Sequence, residues 1–273
     1  MSRRTPVIAV LGLGEAGSRF AADLVSAGAA VRGFDPKVPA PPGVRDCGSD
    51  ADAARGAAIV MALTSAHEAV DTLEQALPGI GEGAVYADLN TASAGLKATL
   101  AQIAARSGAV FADVALMAPV PGRGLRTPML ACGPAAGTWA EVLGALGATV
   151  STLPGPPGTA AARKLVRSVF YKGLAAAVTE ALRAGRAAGC ADWLRANIGQ
   201  ELTNASAATV DRLEQGSIRH ARRRIDEMSA AADLLDELGV PARVARASQH
   251  WLEQLLAEAA DGPGTEENRG LTR

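Results

Sequence analysis

Aromatic side chains are scarce in this sequence, with three Trp, two Tyr and four Phe among 273 residues. Surfaces that grip sugars or stack nucleobases are built from such rings, so neither kind of recognition is expected. Histidine is equally sparse. His67, His220 and His250 are scattered along the chain, which offers no ligand set for a zinc ion or other metal. Cys47, Cys132 and Cys190 are odd in number and share no metal-binding spacing; they read as reduced thiols of a cytoplasmic protein. No stretch reaches the ~18–20 apolar residues of a membrane-spanning helix. Behind the basic opening Met1-Ser2-Arg3-Arg4 the apolar run stops at Gly12, too soon for the core of an export signal. A formal charge of −1 gives no attraction to nucleic acid or to an anionic membrane. The expectation is a soluble cytoplasmic protein whose partner is a small molecule.

What is abundant is aliphatic. Hydrophobic residues make up 48% of the chain and charged residues 20%, so a sizeable core can form from Ala, Val and Leu. The length exceeds one typical domain, and two are expected. Segments 7–11, 30–34, 58–63, 84–88, 109–114, 129–132 and 149–153 read as strands, with helical segments such as 16–27, 66–77 and 93–107 between them. Such alternation builds a doubly wound parallel sheet with helices on both faces. It ends at Gly155-Pro156-Pro157-Gly158. Thr159 then suits an N-cap, and 160–188 lacks proline, so one long interdomain helix is expected, closed by Gly189. Further helical segments fill 190–260, broken most clearly at Gly239-Val240-Pro241. The predicted organisation is an α/β domain over 1–154, an all-α domain over 155–260 and a polar, disordered tail over 261–273.

Gly12-Leu13-Gly14-Glu15-Ala16-Gly17 directly follows the first strand and opens a helix. In that context the G-x-G-x-x-G pattern points to a dinucleotide-binding Rossmann domain. Gly12 permits the tight turn, Gly14 lets pyrophosphate approach backbone N–H groups, and Gly17 allows close helix–strand packing. The helix N-terminus adds partial positive charge for the phosphates. The bland alternative is a tight turn with no ligand. Asp35, at the end of the second strand, can accept the adenosine ribose hydroxyls and would repel a 2′-phosphate, favouring NAD over NADP. Lys37 nearby softens that preference, and an ordinary turn aspartate before Pro36 is the competing reading. Leu63, Thr64 and Asn90 lie at strand ends and complete the expected cofactor lining. The segment Asp88-Leu89-Asn90-Thr91-Ala92-Ser93 suits the nicotinamide ribose or the substrate, whereas Ser93 equally suits a helix cap.

On the long helix, Lys164, Ser168 and Lys172 recur at successive turns and share one side. Arg167 and Tyr171 flank them, and Leu165, Val166, Val169 and Phe170 cover the rest. Such a strip is either the solvated face of a core helix or the lining of an interdomain cleft. In a cleft, a partly desolvated lysine beside a cationic nicotinamide ring would have a lowered pKa and could act as general base.

Together, Gly12–Gly17, Asp88-Leu89-Asn90-Thr91 and Gly155-Pro156-Pro157-Gly158-Thr159-Ala160-Ala161-Ala162-Arg163-Lys164 resemble the β-hydroxyacid dehydrogenase superfamily, which includes 3-hydroxyisobutyrate and 6-phosphogluconate dehydrogenases. Phe111-Ala112-Asp113-Val114-Ala115-Leu116-Met117 and the run from Lys164 to Gly173 resemble its 6-phosphogluconate-dehydrogenase-like branch, which has its own helical C-terminal domain. The likeness spans residues 6 to about 255.

The resemblance implies that Lys164 is the general acid/base for hydride transfer at a hydroxyl-bearing carbon. It places Thr91, Met117, Ser168, Lys172 and His220 on the substrate side. Ser168 stands where the superfamily usually has asparagine. Met117-Ala118-Pro119 replaces its Ser-Gly-Gly loop, and Tyr171 stands where the decarboxylating enzymes use glutamate. These departures leave hydride transfer intact and move the expected substrate away from the usual ones, toward some other small polar, anionic molecule.

The arginine-rich segment 217–228 offers a site for an anionic group or, alternatively, a solvated face with pairs such as Arg223–Glu227. The superfamily often dimerises through the helical domain, so a homodimer is expected. Imine reductases share the overall build but commonly carry Asp or Tyr at the position of Lys164, and so form the second reading. A non-catalytic dinucleotide-binding protein is the third.

Overall fold

The structure, a computed structural model, describes residues 6–261. The basic opening segment and residues 262–273 of the expected tail fall outside that range, and Asp261, expected to begin the tail, ends the last helix. The chain divides into two compact units, Met1–Ser168 and Val169–Arg273.

In the first unit, β1 (Val7–Leu11), β2 (Ala30–Phe34), β3 (Arg45–Asp46), β4 (Ile59–Ala62), β5 (Val85–Asp88), β6 (Val110–Leu116), β7 (Met129–Cys132) and β8 (Val150–Thr152) form one sheet. Their order is β3-β2-β1-β4-β5-β6-β7-β8. Strand β1 is paired in parallel with β2 on one side and β4 on the other. The chain therefore reverses its winding at β1, and a crevice opens beyond the carboxyl ends of β1 and β4, where open α/β sheets bind ligands.

The helices of this unit are α1 (Glu15–Ser26), α2 (Asp50–Ala54), α3 (Ala69–Ala76), α4 (Ala94–Ala105) and α5 (Ala136–Ala145). Alternation along β1 sends Ile8 and Val10 into a cluster with Phe20, Leu24 and Trp139, and Ala9 and Leu11 into one with Leu73, Tyr86 and Leu100. Both faces of the sheet are thus covered, as double winding requires.

Two strands, β7 and β8, run opposite to the other six. β7 runs antiparallel to β6, whereas β8 is parallel to β7. A parallel return to the sheet needs a long crossover, usually a helix. The link after β6 holds only a 3₁₀ turn at Gly124–Arg126.

Helix α6 (Thr159–Ala187) begins where the Gly-Pro-rich break predicts. Its first turn is capped in an unexpected way. Thr159 is the first residue of the helix rather than its N-cap, and its hydroxyl donates to the Pro156 carbonyl at 2.8 Å. Asp113 of β6 does that work instead: its Oδ2 accepts the N–H groups of Gly158 at 3.0 Å and Ala161 at 3.1 Å. Gly158, with φ at +106°, seats the helix start against α4, where a Cβ would fall 2.8 Å from the Ala94 carbonyl oxygen. The first turns of α6 consequently belong to the sheet unit, and the compact units divide inside the helix.

The second unit holds the rest of α6 with α7 (Ala191–Thr203), α8 (Ala207–Arg219), α9 (Ala221–Glu237) and α10 (Arg243–Asp261). Its core is small: Ala232, Leu235, Ala242 and Ala245, backed by Ala184, Met228 and Val240. The Glu180 carboxylate ties α6 to α10 by accepting the N–H groups of Val244 and Ala245, each at 2.8 Å. Helices α7 and α8 bury no residue at all.

Candidate active site

The glycine loop connects β1 to α1. Gly12 has φ at +87° and no room for a side chain, since a Cβ would fall 2.6 Å from the Leu63 carbonyl oxygen. A Cβ on Gly17 would fall 1.8 Å from the Gly12 carbonyl oxygen. The fold itself therefore demands glycine at both positions. Gly14 is different: its φ is −61°, and nothing lies within 4 Å of a Cβ built there. The open space at Gly14 fits the close approach of a ligand, and the opening amides of α1, at Glu15 and Ala16, have no partner within the helix.

Leu13 contributes differently than its place in the motif suggests. Its side chain is fully buried in the core, and its N–H donates to Asp35 Oδ2 at 2.8 Å. Asp35 also accepts the N–H groups of Lys37 at 2.8 Å and Val38 at 3.1 Å through Oδ1. The turn-aspartate reading thus holds. A carboxylate has about four lone-pair sites, so capacity for ribose hydroxyls remains.

Beside the loop lies a pocket of about 480 Å³ whose lining includes Gly12, Gly14, Asp35, Asp50, Leu63 and Thr64. Asp50, which belongs to no recognisable motif, is buried there. Burial pushes its carboxyl up to about 6, with the neighbouring Asp35 charge adding and its own backbone N–H opposing.

Asn90 donates to Thr64 Oγ1 at 3.2 Å and to Asp88 Oδ1 at 2.6 Å, so the carboxyl ends of β4 and β5 are tied together. Thr91 is exposed. Ser93 caps α4 by accepting the Leu96 N–H at 3.2 Å, which realises the capping alternative. Beneath this edge is a group that the sequence reading missed. Lys97 of α4 is fully buried, and its Nζ lies 2.7 Å from Asp88 Oδ2 and 3.0 Å from Asp113 Oδ1. It also donates to the Asp88 carbonyl at 2.8 Å. Burial pushes the Asp88 carboxyl up, against the opposing pull of Lys97 and Asn90. Cys132 adjoins the group, its Sγ 3.3 Å from Asp113 Oδ2 and accepting the Ala160 N–H at 3.2 Å.

Lys164 is half-buried on the second turn of α6. Burial first, then the charges of Lys97 and Arg167, hold its amine below the ordinary lysine value. Ser168 donates back to the Lys164 carbonyl at 2.9 Å, a local bond that occupies its hydroxyl proton. Met117 packs against a small cluster with Ala115, Cys132 and Ala160. The sheet unit therefore brings together Thr64, Asn90, Lys97, Asp113 and the turn bearing Lys164. Lys172 and His220 belong to the helical unit, where both are exposed. In that unit Arg223 pairs with Glu227 at 2.7 Å on an exposed face, and Arg224 donates to Ser217 at 2.9 Å.

Residues 7–153 match the NAD-binding domain of 6-phosphogluconate dehydrogenase, and residues 186–255 match a domain of unknown function, DUF1932. A conserved hypothetical protein from Sinorhizobium meliloti is 28% identical, covering 99% of this chain and 92% of its own, with a TM-score of 0.60. MTH1747, a conserved protein of unknown function described as similar to 3-hydroxyacid dehydrogenases, is 22% identical over 93% of this chain and 98% of its own, with a TM-score of 0.59. An imine reductase from Pseudomonas sp. is 19% identical over 94% of this chain and 95% of its own, with a TM-score of 0.75. No curated protein matches the chain. With its NAD(P)-binding domain covering more than half of its length, the chain belongs to the family of the 6-phosphogluconate dehydrogenase NAD-binding domain, within the β-hydroxyacid dehydrogenase-like superfamily.

Proposed function

We propose that this protein is an NAD-dependent dehydrogenase of the β-hydroxyacid type, acting on the hydroxyl-bearing carbon of a small polar, anionic substrate. The observation that carries the proposal is the half-buried Lys164, its amine held below the usual lysine value on a helix turn that the sheet domain itself anchors through Asp113. A bound nicotinamide dinucleotide supplies the hydride acceptor or donor.

The chain's own residues do the rest. The opening amides of α1, at Glu15 and Ala16, hold the pyrophosphate, and Asp35 accepts the adenosine ribose hydroxyls. Leu63, Thr64 and Asn90 line the nicotinamide side. Lys164 takes the substrate hydroxyl proton in oxidation and returns it in reduction. Thr91, Met117, Ser168, Lys172 and His220 are assigned to the substrate. The preference for NAD is supported by the pocket's acidity: Asp35, Asp50, Glu68 and Asp71 face one lysine, Lys37, an unfavourable setting for a 2′-phosphate.

The working unit is assigned as a homodimer through the helical domain, in the reducing cytoplasm that suits free Cys47, Cys132 and Cys190. Its support is the apolar surface left uncovered along α6, where Val166 is 73% exposed and Val169 is 74% exposed.

The test is a substrate panel of hydroxy acids, sugar acids, amino alcohols and cyclic imines, assayed by NADH and NADPH absorbance. Oxidation of a hydroxy compound with NAD supports the proposal. Turnover of imines alone would replace it with imine reduction, the reading suggested by the fold shared with the Pseudomonas enzyme. Dinucleotide binding without turnover of any class would leave a binding protein.

A further inference from the structure

We propose that Lys97 is a positioning residue for Lys164, holding the first turns of α6 on the sheet through Asp113 and presenting its own positive charge to the Lys164 amine.

The need for Lys97 begins in the sheet register. Asp88 and Asp113 are direct partners on the parallel strands β5 and β6, and neither side chain is exposed to solvent. Two carboxylates side by side without water repel each other and are costly to ionise. Lys97 meets both from α4: its Nζ donates to the Asp88 carbonyl and stands within ion-pair distance of Asp88 Oδ2 and Asp113 Oδ1. A fully buried lysine is rare unless paired in this way.

The group has an outlet on each side. Toward the glycine-loop pocket, Asp88 Oδ1 accepts from Asn90, which also reaches Thr64. Toward α6, Asp113 Oδ2 accepts the amides of Gly158 and Ala161. A carboxylate at a helix N-terminus is favoured by the helix dipole as well as by the hydrogen bonds. Both oxygens of Asp113 are therefore committed, one to Lys97 and one to the turn that precedes Lys164. One cation fixes the place of the strand edge and of the helix start together. The two ammonium groups also share one unit, and the charges that bear on Lys164 are Lys97 from α4 and Arg167 from its own helix. Asp113, which accepts the Gly158 and Ala161 amides, Cys132 beside it and Arg163 of the helix itself are the other titratable groups at the helix start.

This inference rests on Lys164 as the proton-transferring group, but its test does not need turnover. The pH dependence of Lys164 acetylation by trace acetic anhydride, followed by peptide mass spectrometry from about pH 6 to pH 10, reports the amine's titration midpoint in the intact protein. Lys97→Met leaves two adjacent buried carboxylates and risks unfolding. The decisive variant is therefore K97M/D88N, which keeps the group's net charge while removing the cation. Its Lys164 midpoint is expected to rise by about half a pH unit or more, so that labelling at a pH below the midpoint slows about threefold. Asp88→Asn alone, which retains Lys97, is expected to leave the midpoint in place. A folded K97M/D88N protein with the wild-type midpoint would overturn the proposal. If Lys164→Ala retains turnover while the midpoint still moves in K97M/D88N, the catalytic assignment fails and the relation between the two lysines stands.

Discussion

A Cβ on Gly17 would lie 1.8 Å from the carbonyl oxygen of Gly12, so the loop closes only with glycine at position 17. Gly14 sits between them with open space around it, the room that the proposed cofactor's approach requires. The three glycines should consequently separate in experiment. Gly17→Ala is expected to unfold the sheet domain or to lower its melting temperature severely. Gly14→Ala should cost less than about 1 kcal/mol, the price of alanine at an N-cap, while weakening NADH binding tenfold or more. Thermal unfolding and NADH fluorescence titration measure the two effects. Unchanged NADH affinity in Gly14→Ala would remove the loop from the cofactor site.

The same contrast shows what the sequence could reveal. β1, β2 and β7 have the boundaries that their apolar runs predict, because glycine or aspartate ends each run. β3, with two residues, and α2, with five, are too short to carry a period and were not foreseen. The reversal of β7 is invisible in its own pattern; the absence of a helix between β6 and β7 was the available sign. The glycine loop was legible because its parts are contiguous. The Asp88–Lys97–Asp113 group was not, because three elements contribute to it and a lysine on a helix reads as solvated. Its signal was register: Lys97 shares the buried face of α4 with Leu100 and Ala104.

Asp50 gives a prediction about pH. It is 7% exposed beside Asp35, and its carboxyl is pushed up to about 6, against about 3.9 for an unfolded aspartate. The folded state thus holds the proton more tightly. The stability that this contributes is fully present below about pH 4 and is lost as pH rises through about 6. Above that, ionised Asp50 is a net cost. Asp50→Asn is expected to stabilise the protein by about 1–3 kcal/mol at pH 8 and by nothing at pH 4. Urea denaturation at both pH values decides it; an equal effect at the two would mean that Asp50 does not titrate as described.

The helical unit predicts its own oligomeric state. With helices α7 and α8 burying no residue and Trp193 67% exposed, its helices have more apolar surface than its four-residue core can use. Exposed apolar patches of this kind mark protein interfaces. Sedimentation at micromolar concentration should show a dimer. Phe170→Glu, at a side chain 59% exposed on α6, should give a folded monomer. A monomeric wild-type protein would sink the assignment.

Lys164 carries the last prediction. As a general base it must be neutral to accept the hydroxyl proton, and burial together with the charges of Lys97 and Arg167 shifts its titration downward. The oxidative kcat/KM should therefore rise with pH and level off below the ordinary lysine value, and the reductive rate should fall through the same range. Lys164→Ala should lower kcat/KM for the identified substrate by about 10²–10⁴-fold. NADH affinity should change far less, because α1 and Asp35 are the parts proposed to hold the dinucleotide. Lys164→Arg should not rescue the oxidative reaction, since a guanidinium stays protonated throughout the accessible range. Rescue by arginine would mean that the position supplies charge alone, and the proton would then have to travel by another group.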